Sequence, residues 1–234
     1  MKIFIDAGHN DSKVDTGAVG FGIREQDITF NISKLLGEKL TRAGVLVGYS
    51  RNNKTDIIGN SINDSLNKRA KMANDFKADL FISIHTNSHE KPSSNGTEVY
   101  VYNEKSKALP LAEKIQKNLV ETLGTYDRKV KTAGFTVLAN TNMPALLIET
   151  AFISNASDNA KLKNNQEEIA ETIFKAICEE YGINIKKYET PVEIVDRLSV
   201  IIEIQDKKTA VKQVQKAKED NNSLYWILYK IANN

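Results

Sequence analysis

Three apolar runs stop abruptly on residues able to do chemistry, and the rest of the chain is read around them. Leu80, Phe81, Ile82 and Ile84 form a short run rich in β-formers that ends on His85, Thr86 and Asn87. Residues 2–5 form a second strand, followed directly by Asp6-Ala7-Gly8-His9-Asn10. Residues 145–148 form a third, ending on Glu149. A hydrophobic strand that delivers a polar side chain at its carboxyl end is how an open α/β sheet furnishes its crevice.

Helical periodicity fills the intervals. Ile28, Ile32, Leu35, Leu36 and Leu40 recur at helical spacing over residues 25–43, closed by Gly44. Further helices are predicted over 61–76, 106–123 and 165–181, the last two stopped by Gly124 and Gly182. Strands are predicted over 45–49, 97–102 and 135–138. About six strands interleaved with helices make one three-layer α/β domain over residues 1–182. The hairpin-like 97–102 and 135–138 strands favour a mixed, mostly parallel sheet over an all-parallel one.

The pattern changes after Gly182. Thr190-Pro191 reads as an N-cap with proline at the first helical position, and three short helices are expected over 191–204, 207–219 and 223–232. A segment of this size, residues 185–234, is marginal as an independent fold, so it is expected to pack on the main domain or to self-associate as a homo-oligomer.

Composition narrows the classes. The chain has 234 residues, 41% of them apolar and 26% charged, the balance of an ordinary soluble globular protein. A net charge of +2 gives no argument for a nucleic-acid partner. The single cysteine, Cys178, excludes an intramolecular disulfide and falls in a helical apolar stripe, where an inert buried thiol is expected. No apolar run is long enough to span a membrane. Residues 1–6 carry neither a signal segment nor a cleavage site, so synthesis in the cytoplasm without a leader is expected.

The three strand ends then suggest a site. His9 and His85 can converge on one sheet edge, and a catalytic zinc commonly takes two histidines and a carboxylate while keeping a position for water. Glu25 is the best third ligand, because it opens a helix just after the loop that follows the first strand. Glu149 suits the role of a carboxylate that moves a proton rather than binding metal, since burial at a strand end raises its pKa. Each residue also has an ordinary structural reading: a hydrogen-bonded histidine, a helix-start acid favoured by the dipole, a buried acid paired with arginine. His89 lies in a polar loop and reads as solvated. Asp6 is expected to orient either the loop or a ligand's second ring nitrogen. Gly17, Gly20 and Gly22 fit no phosphate-binding pattern and read as a flexible loop.

Four blocks carry a family resemblance: D-A-G-H-N at 6–10, the G-x-x-G-x-x-x-x-E run from Gly17 to Glu25, the block from Leu66 to Asn87 containing L-x-x-R and D-L-F-I-S-I-H-T-N, and N-M-P-A-L-L-I-E-T-A-F-I-S-N at 142–155. In that order, across residues 1–181, they resemble the zinc-dependent N-acetylmuramoyl-L-alanine amidases of the amidase-3 family, including phage endolysins and bacterial autolysins. The resemblance implies one zinc ion per chain held by His9, Glu25 and His85, with Glu149 as the catalytic carboxylate. It implies hydrolysis of the amide joining N-acetylmuramic acid to the L-alanine of the peptidoglycan stem peptide. Thr86 departs from the small residue usual in the family at that position. No wall-binding repeat is recognisable after residue 185, and cell-wall binding there is expected only by analogy with modular lytic enzymes. Without a leader, such an enzyme would reach the wall after release by a holin or by lysis. The alternatives are a zinc peptidase cutting within the stem peptide and an inactive wall-binding module.

Overall fold

The computed structural model describes residues 1–11, 13–184, 212, 215 and 216. The chain divides into two units, Met1–Asn184 and Ile185–Asn234. The helices expected beyond residue 190, and any wall-binding or self-association role for them, lie outside the described residues except at Lys212, Gln215 and Lys216, which are helical.

The first unit runs β1 (Lys2–Ala7), β2 (Val19–Gly20), β3 (Ile23–Arg24), α1 (Glu25–Arg42), β4 (Leu46–Tyr49), α2 (Ile62–Phe76), β5 (Leu80–Asn87), β6 (Thr97–Val101), α3 (Leu109–Leu123), β7 (Asp127–Thr132), α4 (Thr136–Ala139), β8 (Ala145–Phe152), α5 (Ala156–Asn164) and α6 (Gln166–Tyr181). Six strands form one mixed sheet in the order β4-β1-β5-β8-β6-β7, and β2 pairs with β3 in a separate two-stranded hairpin. Only the β6–β8 pairing in the large sheet is antiparallel; its other four pairings are parallel.

Alternation along the central strands divides the core. Ile3, Ile5, Ile82, Ile84, Leu146, Ile148, Val99 and Val101 face one way and are buried against α1, α3 and α6 through residues such as Ile32, Leu36, Ile115, Leu119, Ile173 and Ile177. Phe4, Phe81, Ala145 and Leu147 face the other way, onto Ala73 of α2 and Val137 and Leu138 of α4. Each fully buried Leu or Ile contributes about 1.5–3 kcal/mol. Among the described residues, this second face is covered by α2 and the single turn of α4.

Three expectations need correction. The strand expected at 135–138 is a helical turn, with Leu138 and Ala139 both donating to Phe135 O at 2.9 Å. Val137 and Leu138 are both buried, packed with Phe81, Ala145 and Leu147 on the second face of the sheet. The sixth strand is instead β7, Asp-Arg-Lys-Val-Lys-Thr, whose single apolar residue hid it; it lies at the sheet edge, parallel to β6 and across a register shift. The last predicted helix is preceded by a second one, α5, which Asn155 caps by accepting from the backbone N–H groups of Ser157 and Asp158 at 3.1 Å. In addition, β8 does not stop at Glu149 but continues to Phe152.

Candidate metal centre

Glu25 is the hub. It opens α1 and is 4% exposed, yet each of its oxygens has a backbone donor: Ala18 N–H to Oε2 at 2.9 Å and Thr86 N–H to Oε1 at 3.0 Å. Its own N–H donates to Ala18 O at 2.9 Å, so the foot of the β2–β3 hairpin and the end of β5 fix the carboxylate from two sides. Thr86, the departure noted above, therefore takes part through its backbone and helps to fix the Glu25 carboxylate.

Two imidazoles reach this carboxylate. His9 Nε2 lies 3.4 Å from Glu25 Oε2, and His85 Nδ1 lies 3.3 Å from Glu25 Oε1. Donor atoms of all three residues lie within 4.8 Å of one another. A tetrahedral zinc with bonds of about 2.0–2.1 Å separates its ligand atoms by roughly 3.3–3.4 Å. Each imidazole stands at about that distance from Glu25, though from a different one of its oxygens, and the donor set suits a borderline-soft divalent ion. The residues fit the metal.

Close approach of backbone makes the convergence feasible. A Cβ on Gly8 would lie 2.4 Å from His85 Cε1, and one on Gly17 would lie 2.7 Å from Glu25 Cβ. Bare Cα atoms are required where these two side chains pass. His9 has φ 59°, a left-handed conformation that costs a non-glycine residue roughly 1–2 kcal/mol. Arg69, by donating to His9 O at 2.6 Å, helps to hold it there.

A buried polar network stands behind His9. Its Nδ1 meets Asp15 Oδ1 at 3.0 Å, the carboxylate–imidazole arrangement that fixes a ligand's tautomer and ring orientation. Asp15 is in turn gripped by Asn10 Nδ2, Ser65 Oγ and Arg69 Nη2. Asp6 does not reach a ring nitrogen: it pairs with Arg69 Nη1 at 2.7 Å and accepts from Ser83 Oγ at 2.8 Å. It serves the loop through Arg69, which also donates to Ala7 O. Arg51, 1% exposed, spends its guanidinium on the carbonyls of Ala7, Gly8 and Gln26.

The charges are strongly coupled. Burial pushes the Glu25 carboxyl up, but hydrogen bonds from His85 and His9 and their positive charge outweigh it and hold the group well below the usual range. Burial pulls His9 down, but Asp15 and Glu25 override it and raise the imidazole to about 9. Asp15 falls to about 2, burial being overcome by its bonds to His9 and Ser65 and by the charge of Arg69. Two carboxylates trained on one imidazole make a place that attracts a cation.

Glu149 sits beside this cluster. The sheet register puts it opposite His85 on one side and Glu98 on the other. Its Oε2 is buried without a hydrogen-bond partner, and burial, followed by the charges of Glu25 and Glu98, raises its pKa well above the carboxylate norm. A carboxyl kept protonatable next to a cation site is what general acid–base catalysis requires. The structure thus brings His9, Glu25, His85 and Glu149 to one rim. His89 lies apart from them, exposed in the loop after β5. Asp15, Arg51 and Glu98 were not assigned from the sequence; Arg69 lay inside a quoted block without a role.

The sequence and the fold also match known proteins. The family model described as N-acetylmuramoyl-L-alanine amidase matches residues 3–179. The chain is 44% identical over 163 residues to N-acetylmuramoyl-L-alanine amidase LytC of Bacillus subtilis, covering 69% of this chain and 31% of that protein. It is 36% identical over 195 residues to the endolysin of Bacillus phage SPP1, covering 79% of this chain and 67% of that one. Among solved structures, the catalytic domain of CwlV, an amidase from Bacillus (Paenibacillus) polymyxa var. colistinus, superposes with a TM-score of 0.69 at 32% identity, covering 78% of this chain and 99% of that one. The chain spans about a third of the length of LytC.

Proposed function

Since the chain belongs to the N-acetylmuramoyl-L-alanine amidase family, we propose that it is a peptidoglycan hydrolase cleaving the amide between N-acetylmuramic acid and the L-alanine of the stem peptide, with one zinc ion held by His9, Glu25 and His85. The observation that carries this reading is the His9–Glu25–His85 cluster, its donors mutually within 4.8 Å, facing a buried carboxyl with an unpartnered oxygen. When bound, the ion lowers the pKa of a coordinated water toward about 7 and polarises the substrate carbonyl. Glu149 takes the proton of the attacking water and returns it to the alanine nitrogen as the amide breaks. Its raised pKa suits both halves of that transfer. Asp15 holds the His9 ring in place, and Arg69 and Arg51 hold the loop on which His9 stands. Action on the bacterial cell wall follows from this substrate.

Digestion of purified peptidoglycan, with and without a chelator, tests the reading. Mass spectrometry is expected to find peptides with a free L-alanine amino terminus together with peptide-free glycan, and chelation is expected to stop their release. Cleavage between stem-peptide residues would instead support a zinc peptidase. Clearance unaffected by complete metal removal would rule out both.

A further inference from the structure

The strand order lays the site out along one line. His9 follows the end of β1, His85 comes from β5, Glu149 from β8, Glu98 and Tyr100 from β6, and Arg128 and Lys131 from β7, and these five strands are consecutive across the sheet. Glu98 is the registered partner of Glu149, so their side chains share a face, and Lys131 is the registered partner of Tyr100. Arg128 Nε donates to Glu98 Oε2 at 2.7 Å and Lys131 also pairs with it, while Tyr100 OH donates to Oε1 at 2.9 Å and Asn87 Nδ2 donates to the same oxygen. Glu98 is 2% exposed, whereas the side chains of Arg128 and Lys131 are 31% and 37% exposed.

One cation would neutralise one buried carboxylate, and Arg128, Tyr100 and Asn87 already satisfy Glu98. The second cation is surplus. It pairs with Glu98 while its side chain stays 37% exposed, and its Nζ lies 5.8 Å from the centre of the Tyr100 ring. Only one of its three donors is needed for Glu98.

Resting on the amidase reading above, the polarity of the substrate follows. With the carbonyl toward the His9–Glu25–His85 side and the nitrogen toward Glu149, the departing peptide runs on over β6 toward β7. Strands lie about 4.8 Å apart, which places β7 roughly 10 Å beyond β8. An extended peptide covers about 3.3–3.6 Å per residue, so the residue after L-alanine arrives roughly 7 Å along, over β6 and within reach of a lysine from β7. We propose that Lys131, flanked by Arg128, is a specificity-determining contact for a free carboxylate on the second residue of the leaving peptide.

The test uses two muramyl peptides differing only in whether that carboxyl is free or amidated, with the zinc-loaded 234-residue wild-type chain and Lys131→Met. Lys131→Met leaves Glu98 paired with Arg128, so the buried acid is not orphaned. Wild type is expected to favour the free acid by about tenfold or more in kcat/KM, the range for a hydrogen bond between charged groups. Lys131→Met is expected to lose that preference by slowing on the free acid alone, and Lys131→Arg to restore it. Equal wild-type rates on the two peptides, or an equal loss on both in Lys131→Met, would overturn the inference while leaving the amidase reading intact. Cleavage of neither peptide by wild type would overturn the amidase reading, and this inference with it.

Discussion

A single methyl group at Gly8 tests whether the ligand geometry matters. The Cβ of Gly8→Ala would stand 2.4 Å from His85 Cε1, 2.5 Å from Nε2 and 2.7 Å from Nδ1. Non-bonded carbons settle at about 3.5–4.0 Å, so ring and methyl must part by roughly 1 Å. The loop is the stiffer partner. Gly8 N–H is bonded to Ile84 O at 3.0 Å, while Gly8 O accepts from Thr29 Oγ1 at 2.8 Å and from Arg51 Nη2 at 3.2 Å. The His85 ring therefore yields. Zinc–ligand distances tolerate about 0.2 Å, so a displacement several times larger removes His85 from the ligand set. Loss of a partner that merely supports a ligand already costs about 10–100-fold in metal affinity, and Gly8→Ala should cost at least that much. Competition against a chromogenic chelator measures it. Gly134→Ala is the control, since a Cβ there meets nothing within 4 Å. Gly8→Ala binding zinc within threefold of wild type and retaining full turnover would show that His85 does not serve the metal.

Three further outcomes are expected. Glu149→Gln should lose about 10²–10⁴-fold in turnover with zinc still near one per chain, and a variant that clears wall suspensions at the wild-type rate would remove Glu149 from the reaction. Asp15→Asn, which keeps the shape but not the charge behind His9, should lower zinc affinity about 10–100-fold; an unchanged affinity in the chelator competition would deny the carboxylate its orienting role. In the metal-free protein, His9 titrates near 9, above its ordinary 6.5, so its protonated ring stabilises the fold fully below about pH 6.5 and that contribution is lost as pH rises through about 9. The Tm of chelator-treated protein should fall across that window, and the same slope persisting in His9→Gln would assign it to another group.

How much of this was legible in the sequence depended on whether a residue's role is written in its own neighbourhood. His9, His85 and Glu149 stand where apolar strand runs give way to polar residues, runs that announce themselves by burying Ile3, Ile5, Ile82, Ile84, Leu146 and Ile148, and such a position is visible before any fold is known. Strand β7 failed the same test because only Val130 in Asp-Arg-Lys-Val-Lys-Thr is apolar, which reads as a solvated charge run although pairing with β6 makes it a strand. Residues 135–138 read as a short strand, and the adjacent apolar pair Val137-Leu138 did not distinguish a helical turn from one, since a strand buried on both faces such as β5 carries the same pattern. Asp15 was within reach, because a carboxylate six residues beyond a candidate histidine ligand can fold back on its ring within one short loop, as it does at 3.0 Å. Arg51 offered nothing local. Its meaning is the carbonyls of Ala7 and Gly8, 44 and 43 residues earlier, and of Gln26, 25 earlier. His9 and His85 come from strand ends and so appear as local patterns, whereas Glu25 opens a helix and the groups that hold these side chains still are supplied by whichever element packs against them. Strand order, here β1-β5-β8-β6-β7, decides those neighbours, and hydrophobic periodicity along one strand does not encode its place in the sheet.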